Sequence, residues 1–283
     1  MKMRLFATVC AVLCAGQTAA FAQDEDDWEF QHEAALNQTV AAVRYDAGVA
    51  IVAQCRDRAL STALIGMPAG MGGVEVQARR ADGRTDTQAW VSGPGPGIYL
   101  SSLPARDIRF MRGGGLYSIR TADGAPRPLR TNFDLPTQSA NLDRVLTACG
   151  WALTDDRDQL AVATGISIVN PEAVGRRRMP TRPGATTRAP RREIEPTPLP
   201  PSVPPPAENR VSCIVRDLHL RDCRADHAGS AENRDVQAVV STNEGRQVYA
   251  VAGSDAAASE GKVVHMTGGR ITVVDYISTI PAS

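Results

Sequence analysis

The chain has 283 residues, 43% of them apolar, with 31 Lys and Arg against 31 Asp and Glu. That is apolar material enough for packed cores, in a length suited to about two domains of ~100 to 200 residues each. A formal charge of zero argues against a nucleic-acid binder or an acidic tail protein, while 19 prolines, 24 glycines and only 5% aromatics call for many turns and at least one stretch without a core.

Lys2 and Arg4 precede a mostly apolar run from Leu5 to Gly16, and Ala20-Phe21-Ala22 offers small residues at the two positions a signal peptidase reads. This order of charge, apolar run and cleavage site is that of a secretory signal, so residues 1–22 are expected to leave before Gln23 and the mature chain to be periplasmic. The competing reading is an uncleaved membrane anchor, because Leu5 to Ala22 carries no charge. The run falls short of the ~20 residues that span a bilayer, and Gln17 and Thr18 weaken its second half. Leu13, not a small residue, stands before Cys14, which argues against lipidation.

Once Cys10 and Cys14 are removed, Cys55, Cys149, Cys213 and Cys223 remain, an even number that in an exported chain favours disulfides. Three pairings are possible. The long proline-rich stretch between Cys149 and Cys213 favours Cys55 with Cys149 and Cys213 with Cys223, one bridge for each domain. For the second pair a hairpin around Asp217-Leu218-His219 would set 216 opposite 220 and 213 opposite 223, and opposed strand residues ~4.5 Å apart at Cα suit a disulfide. The rival reading of Cys213, His219, Cys223 and His227 as a metal site lacks the tight Cys-x2-4-Cys spacing of zinc ligands.

In chain order, the acidic residues Asp24 to Asp27 read as a solvated leader into a short helix near Glu33 to Ala42. From Tyr45 to Asn132, short strand-like runs follow at 49–55, 60–65, 74–79, 88–91, 98–101, 108–111, 116–120 and 129–133. Gly, Pro or Asp-Gly separates them, with tight turns expected at Asp82-Gly83 and Asp123-Gly124. The fold class is therefore mainly β with α+β elements, and the regular spacing predicts an antiparallel sandwich or small barrel for a domain spanning 23–165. One packed helix is expected after Asp134 or Ser139, with Leu142, Val145, Leu146 and Cys149 at three- and four-residue steps and Gly150 as its stop.

The segment 166–209 reads as a disordered linker. Between Pro171 and Asn209 it holds eleven of the 19 prolines and arginines at 176, 177, 178, 182, 188, 191 and 192, with little to bury. Clustered Arg matches phosphate in charge and geometry, so weak contact with an anionic surface is expected of it. A small α+β domain spanning 210–283 then comprises the cysteine hairpin, a helix at 231–242, a strand at 247–252, and strands at 262–266 and 270–277 around Gly268-Gly269.

No nucleophile elbow, metalloprotease helix motif, phosphate loop or calcium loop occurs, so no catalytic residue, metal or cofactor is assigned. Gly66 to Gly73 and Gly93 to Gly97 read as turns. Asp155, Asp156 and Asp158, with Arg157 among them, form the densest carboxylate group within a folded stretch, best read as a helix cap or surface ion pairs. His265 is expected to alternate outward from its strand. A small-ligand or enzymatic site in the first domain would be sought near Trp90, Tyr99, Tyr117 or Trp151, aromatics more often found in cores.

The proline-rich stretch, then Val211-Ser-Cys-Ile-Val-Arg-Asp-Leu-His-Leu-Arg-Asp-Cys-Arg224, a helix and the strand Gly269 to Tyr276, together resemble the C-terminal domain of TonB-type energy transducers over about a quarter of the chain. The resemblance implies a sheet edge that takes an extended partner peptide by strand addition. Arg270, Ile271, Thr272, Val273 and Val274, or the strand beginning at Arg210, would be that edge. The expected function is a non-enzymatic interaction module of the cell envelope with a protein partner. The alternatives are an energy transducer anchored by a retained N-terminus, or a small-ligand binder or enzyme using the first domain.

Overall fold

The computed structural model describes residues 26–69, 73–125, 128–170, 210–225, 234–251, 253–267 and 270–271. The expected signal, residues 171–209 of the expected linker, the Gly268-Gly269 turn and the strand residues from Thr272 onward lie outside the described residues.

The chain is mainly β. Its first module contains β1 (Glu29–Glu33), β2 (Gln38–Arg44), β3 (Ala50–Arg56), β4 (Ala59–Ile65), β5 (Val74–Arg80), β6 (Thr85–Ser92), β7 (Tyr99–Ser101), α1 (Pro104–Met111), β8 (Gly115–Thr121), β9 (Arg130–Leu135) and α2 (Ala140–Ala148). All nine strands join one antiparallel sheet in the order β1-β2-β3-β4-β7-β6-β5-β8-β9. Period-two alternation turns Ile51, Ala53 and Cys55 of β3, Val76 and Ala78 of β5, and Tyr117 and Ile119 of β8 into one core.

No ladder among the described residues joins β1 to β9, so the nine strands form one large antiparallel sheet that is not a closed barrel. The sheet bends on itself instead. Tyr45, just past β2, donates its hydroxyl to the carbonyl of Asp134 in β9 (3.0 Å), and its ring lies 5.4 Å from that of Phe133. Strand twist accumulated over nine strands brings these distant parts together, and α2 fills the remaining gap by packing on β2 and β3.

Two segments differ from what their sequence predicts. The segment 33–42, read as a helix, is the β1–β2 hairpin, turned by Ala34–Leu36 and by Asn37 at φ 45°. Ala41 and Ala42 are good helix formers in isolation, but both are buried within β2, Ala41 in the first core, and pairing with β1 and β3 overrides propensity. The run 108–111, read as a strand, belongs to α1, which begins with a proline in its first turn and is buried along its whole length. The chain leaves α1 through Gly114 at φ 66°, where a Cβ would fall 2.3 Å from the Cα of Thr137, so only glycine fits. Turns do form at Gly83 and Gly124, both at positive φ.

The second module contains β10 (Ile166–Ser167), β11 (Arg210–Arg216), β12 (His219–Ala225), α3 (Arg234–Asn243), β13 (Tyr249–Ala250), β14 (Val263–Thr267) and β15 (Arg270–Ile271). Four strands form a sheet in the order β12-β11-β14-β15, and β10 pairs with β13. β11, beginning at Arg210, thus lies inside the sheet and is not an edge. Residues 166–170 are not spacer either: Ile166 and Ile168 are buried in the second core beside Val211, Val236 and Val248.

The hairpin register also differs from expectation. The turn has two residues, Asp217 and Leu218, both at positive φ, so Arg216 faces His219 and not residue 220. In that register Cys213 would miss Cys223, but the register shifts between Ser212 and Ile214, with Asp222 at φ 51°. This bulge restores the match. Cys213 bonds Cys223 (Cα–Cα 4.1 Å), and Cys55 at the end of β3 bonds Cys149 just past α2 (Cα–Cα 5.5 Å).

The Cys55–Cys149 bridge closes a loop across 94 residues. Replacing both cysteines by serine is expected to lower stability by about 2–5 kcal/mol. Urea unfolding followed through the fluorescence of buried Trp28 and Trp90 checks it, and wild-type protein with reductant, which opens both bridges, should shift at least as far.

Candidate functional site

Among the described residues, a dense polar network is built on α1. Its sequence Pro104-Ala-Arg-Asp-Ile-Arg-Phe-Met-Arg112 repeats arginine every third residue, which sets Arg106 and Arg109 as neighbours on the helix and leaves Arg112 as the extended residue that follows it. Arg106 is buried with Asp86 of β6, donating to its carboxylate at 2.7 and 2.9 Å, and also donates to the carbonyls of Arg157 (3.0 Å) and Leu160 (2.8 Å). Arg109 grips Asp158 at 2.5 and 3.0 Å. Arg112 pairs with Asp143 of α2 (2.9 Å) and donates to the carbonyl of Leu153 (2.7 Å). Burial pulls the Arg106 guanidinium down, but the hydrogen bonds and charge of Asp86 outweigh this and leave it raised.

Arg80, at the end of β5, is buried and among the described residues forms no ion pair. Its guanidinium donates to the carbonyls of Phe110 (2.8 Å), Arg112 (2.8 Å) and Gly114. A cation at the negative end of the helix stabilises α1 where its own carbonyls have run out of donors. Near the start of the helix, Ser101 donates to the fully buried Asp107 carboxyl (2.5 Å) and accepts from the Leu103 amide (2.9 Å). Burial pushes the Asp107 carboxyl up to about 8, partly opposed by the Ser101 hydrogen bond, so near neutral pH it carries a proton in much of the population.

The loop held by these arginines is the Asp155 to Asp158 group singled out in the sequence. Asp155 caps a short 3-10 turn by accepting from the Arg157 amide (2.9 Å), and it joins Asp156 in pairing with Arg224 of β12. Arg157 points the other way. It is buried in the second module, where it donates to the carbonyl of Ser212 (2.5 Å), the Ser212 hydroxyl (2.6 Å) and the carbonyl of Asp222 at the bulge. The carboxylates read as cap or surface pairs therefore join the two modules.

A cleft of about 230 Å³ opens beside the ladder, lined by Arg84, Arg109, Arg112, Leu153, Thr154 and Gln159 among others. Each guanidinium in it has its own carboxylate: Arg84 with Asp82, Arg106 with Asp86, Arg109 with Asp158 and Arg112 with Asp143. An added anion would compete with all of them, so the geometry suits structure better than anion capture.

The aromatic residues considered for a ligand site do not gather in a cavity. Trp90 and Tyr99 lie in the first core around a space with no room for water, and Tyr117 donates to Gln88 (2.6 Å) inside the same module. Trp151 and His265 line a gap of about 10 Å³ between the modules, at most the room of a single water. His265 is buried, not outward. The face of β14 expected to meet solvent is covered by the first module, as its neighbour Val263 packs with Ala89, Leu103 and Val162.

Of the expected partner-binding edge, Arg270 and Ile271 form β15, paired with Thr267 and Met266 of β14. Thr272, Val273 and Val274 lie outside the described residues. Among the described residues, no three His, Cys, Asp or Glu side chains could hold a metal ion together, and no helix is long and apolar enough to cross a membrane.

The arginine ladder escaped the sequence reading, because splitting 104–112 into a loop and a strand hid the three-residue spacing and the proline at its head. Asp86 and Asp107 gave no local signal at all.

Two consequences are measurable. Asp86→Asn or Arg106→Ala breaks a buried pair and should cost about 3–5 kcal/mol, whereas Arg84→Ala, on an exposed pair, should cost less than about 1 kcal/mol; urea midpoints compare them. Because the folded state holds the Asp107 proton more tightly than the unfolded chain, Asp107 favours folding fully only below the ordinary aspartate range and loses that contribution as pH rises to about 8. Asp107→Asn should match wild type near pH 4 and become progressively more stable than it towards pH 8, read as the difference in unfolding midpoints.

Compared with known proteins, the chain matches no family model, no curated protein and no solved structure.

Proposed function

We propose that this is an exported, non-enzymatic protein of the cell envelope whose second module engages a protein partner by strand addition. The observation that carries the reading is the sheet order β12-β11-β14-β15, which leaves β15 paired on one side only among the described residues. An unpaired strand edge is a template for an extended chain, with backbone hydrogen bonds supplying affinity. Support comes from the two disulfides, which suit an oxidising compartment, and from the resemblance of the cysteine hairpin to TonB-type domains. The arginines between 176 and 192 would add attraction to an anionic surface. First and second modules docked through buried arginine present the edge on a stiff platform, which lowers the ordering cost of binding.

A photo-crosslinking residue placed at position 270 of the full exported chain tests this. One envelope protein should be captured, and Ile271→Pro, which removes a backbone donor from β15, should reduce capture several-fold with both disulfides intact. Absence of any specific adduct overturns the proposal. The hairpin resemblance also supports a transducer anchored by a retained N-terminus, and N-terminal sequencing of the exported chain separates the two: a start at Gln23 excludes the anchor.

A further inference from the structure

Residues 161–168 follow the first module in sequence but pack in the second as an added strand. The amide of Ala163 donates to the Val263 carbonyl (2.8 Å), the amide of Val263 to the Ala161 carbonyl (2.9 Å), and the amide of Val251 to the Gly165 carbonyl (3.0 Å). Ile166 and Ser167 then pair with Ala250 and Tyr249, and Arg246 donates to the Ile168 carbonyl (3.1 Å). Ala163, Ile166 and Ile168 fill the second core. Gly165 sits at φ 68°, where a Cβ would come within 2.8 Å of the Cβ of Ser254, and the Ser254 hydroxyl donates to the Gly165 carbonyl.

The rest of the module begins at Arg210, and residues 171–209 separate it from this segment. The groove between β13 and β14 is thus filled by a peptide delivered from outside the module, and the contacts define what fits: an extended chain with a small residue, a glycine two positions on, and branched apolar residues at the third and fifth positions after the small one. Without the segment, the backbone groups of Val251 and Val263 lose their partners and the second core is open along one side, a state that favours refilling.

We infer that this groove is a peptide-binding site of the second module, occupied in cis by residues 161–168, and that an extended partner segment of the pattern small-x-Gly-apolar-x-apolar binds by displacing it. The inference rests on the reading that the module works by strand addition, but uses a different edge from β15. Tethering gives the cis segment an effective concentration of order mM, so a free peptide competes poorly until the cis strand is weakened.

A fluorescent peptide of residues 160–170, titrated into the full oxidised chain and followed by anisotropy, tests this. Wild type should bind it at least about tenfold more weakly than Ile166→Asp/Ile168→Asp or Gly165→Val, the second keeping the segment apolar in case the first disturbs folding. The same peptide carrying Gly165→Val should not bind any of the three. Failure of both variants to bind, with near-ultraviolet circular dichroism and both disulfides preserved, overturns the inference, as does equal binding by wild type and variants. A dimer that forms as protein concentration rises and dissolves on adding the peptide assigns the groove to a second copy and overturns the proposal of a foreign segment. Peptide binding without an adduct at position 270 refutes the β15 reading alone, and an adduct without peptide binding refutes this one alone.

Discussion

The stretch 152–160 is gripped by guanidinium groups from both modules, and the placement of everything else depends on that grip. Arg106 and Arg109 of α1 and Arg112 just past it hold it through carboxylates and carbonyls, Arg224 holds Asp155 and Asp156 from β12, and Arg157 reaches from the loop into the second module. Arginine suits this work because its planar fork satisfies several acceptors at once while remaining charged. Buried pairs of this kind add little net energy over an apolar core, but losing one partner is costly.

The two disulfides and the ladder act at different scales. Cys55–Cys149 ties α2 to the sheet across most of the first module, constraining the unfolded chain as much as the folded one. Cys213–Cys223 is local. It spans the bulge whose Asp222 carbonyl receives Arg157, so the covalent staple of the second module also shapes the receptor for the first. The modules consequently share a small apolar seam of Ala89, Leu103, Val162 and Val263, and the 161–168 strand continues it into the second core.

Much of the first module was legible in residues. Strands such as Val74–Arg80 and Gly115–Thr121 announce themselves by alternation, and α2 by its apolar spacing and the glycine that follows it. The failures share a cause. Ala41 and Ala42 favour helix until β1 and β3 pair with them on either side, and Ile108 to Met111 look extended until Asp86 and Asp158, distant in sequence, supply charges that make buried helical arginines tenable. The hairpin at 217–218 misled by one residue because nothing in Asp-Leu signals a tight turn at positive φ, and the compensating bulge at Asp222 is invisible without its disulfide and Arg157.

By itself the sequence determined the β-rich class, the short strands and their turns, and an argument for which cysteines meet, since these follow from period-two patterning, turn chemistry and the proline-rich separation of the two pairs. Only the tertiary structure decided that one sheet bends into a single core, that Asp155, Asp156 and Asp158, besides capping a turn, pair with arginines of both modules, and that Ile166 and Ile168 belong to the second core and not to a spacer. Those outcomes depend on partners 50 to 100 residues away, such as Arg157 with Ser212, 55 residues apart, or Ser254 with Gly165, 89 residues apart. A buried charge or an added strand is defined by what meets it across space, and local propensity carries no record of that.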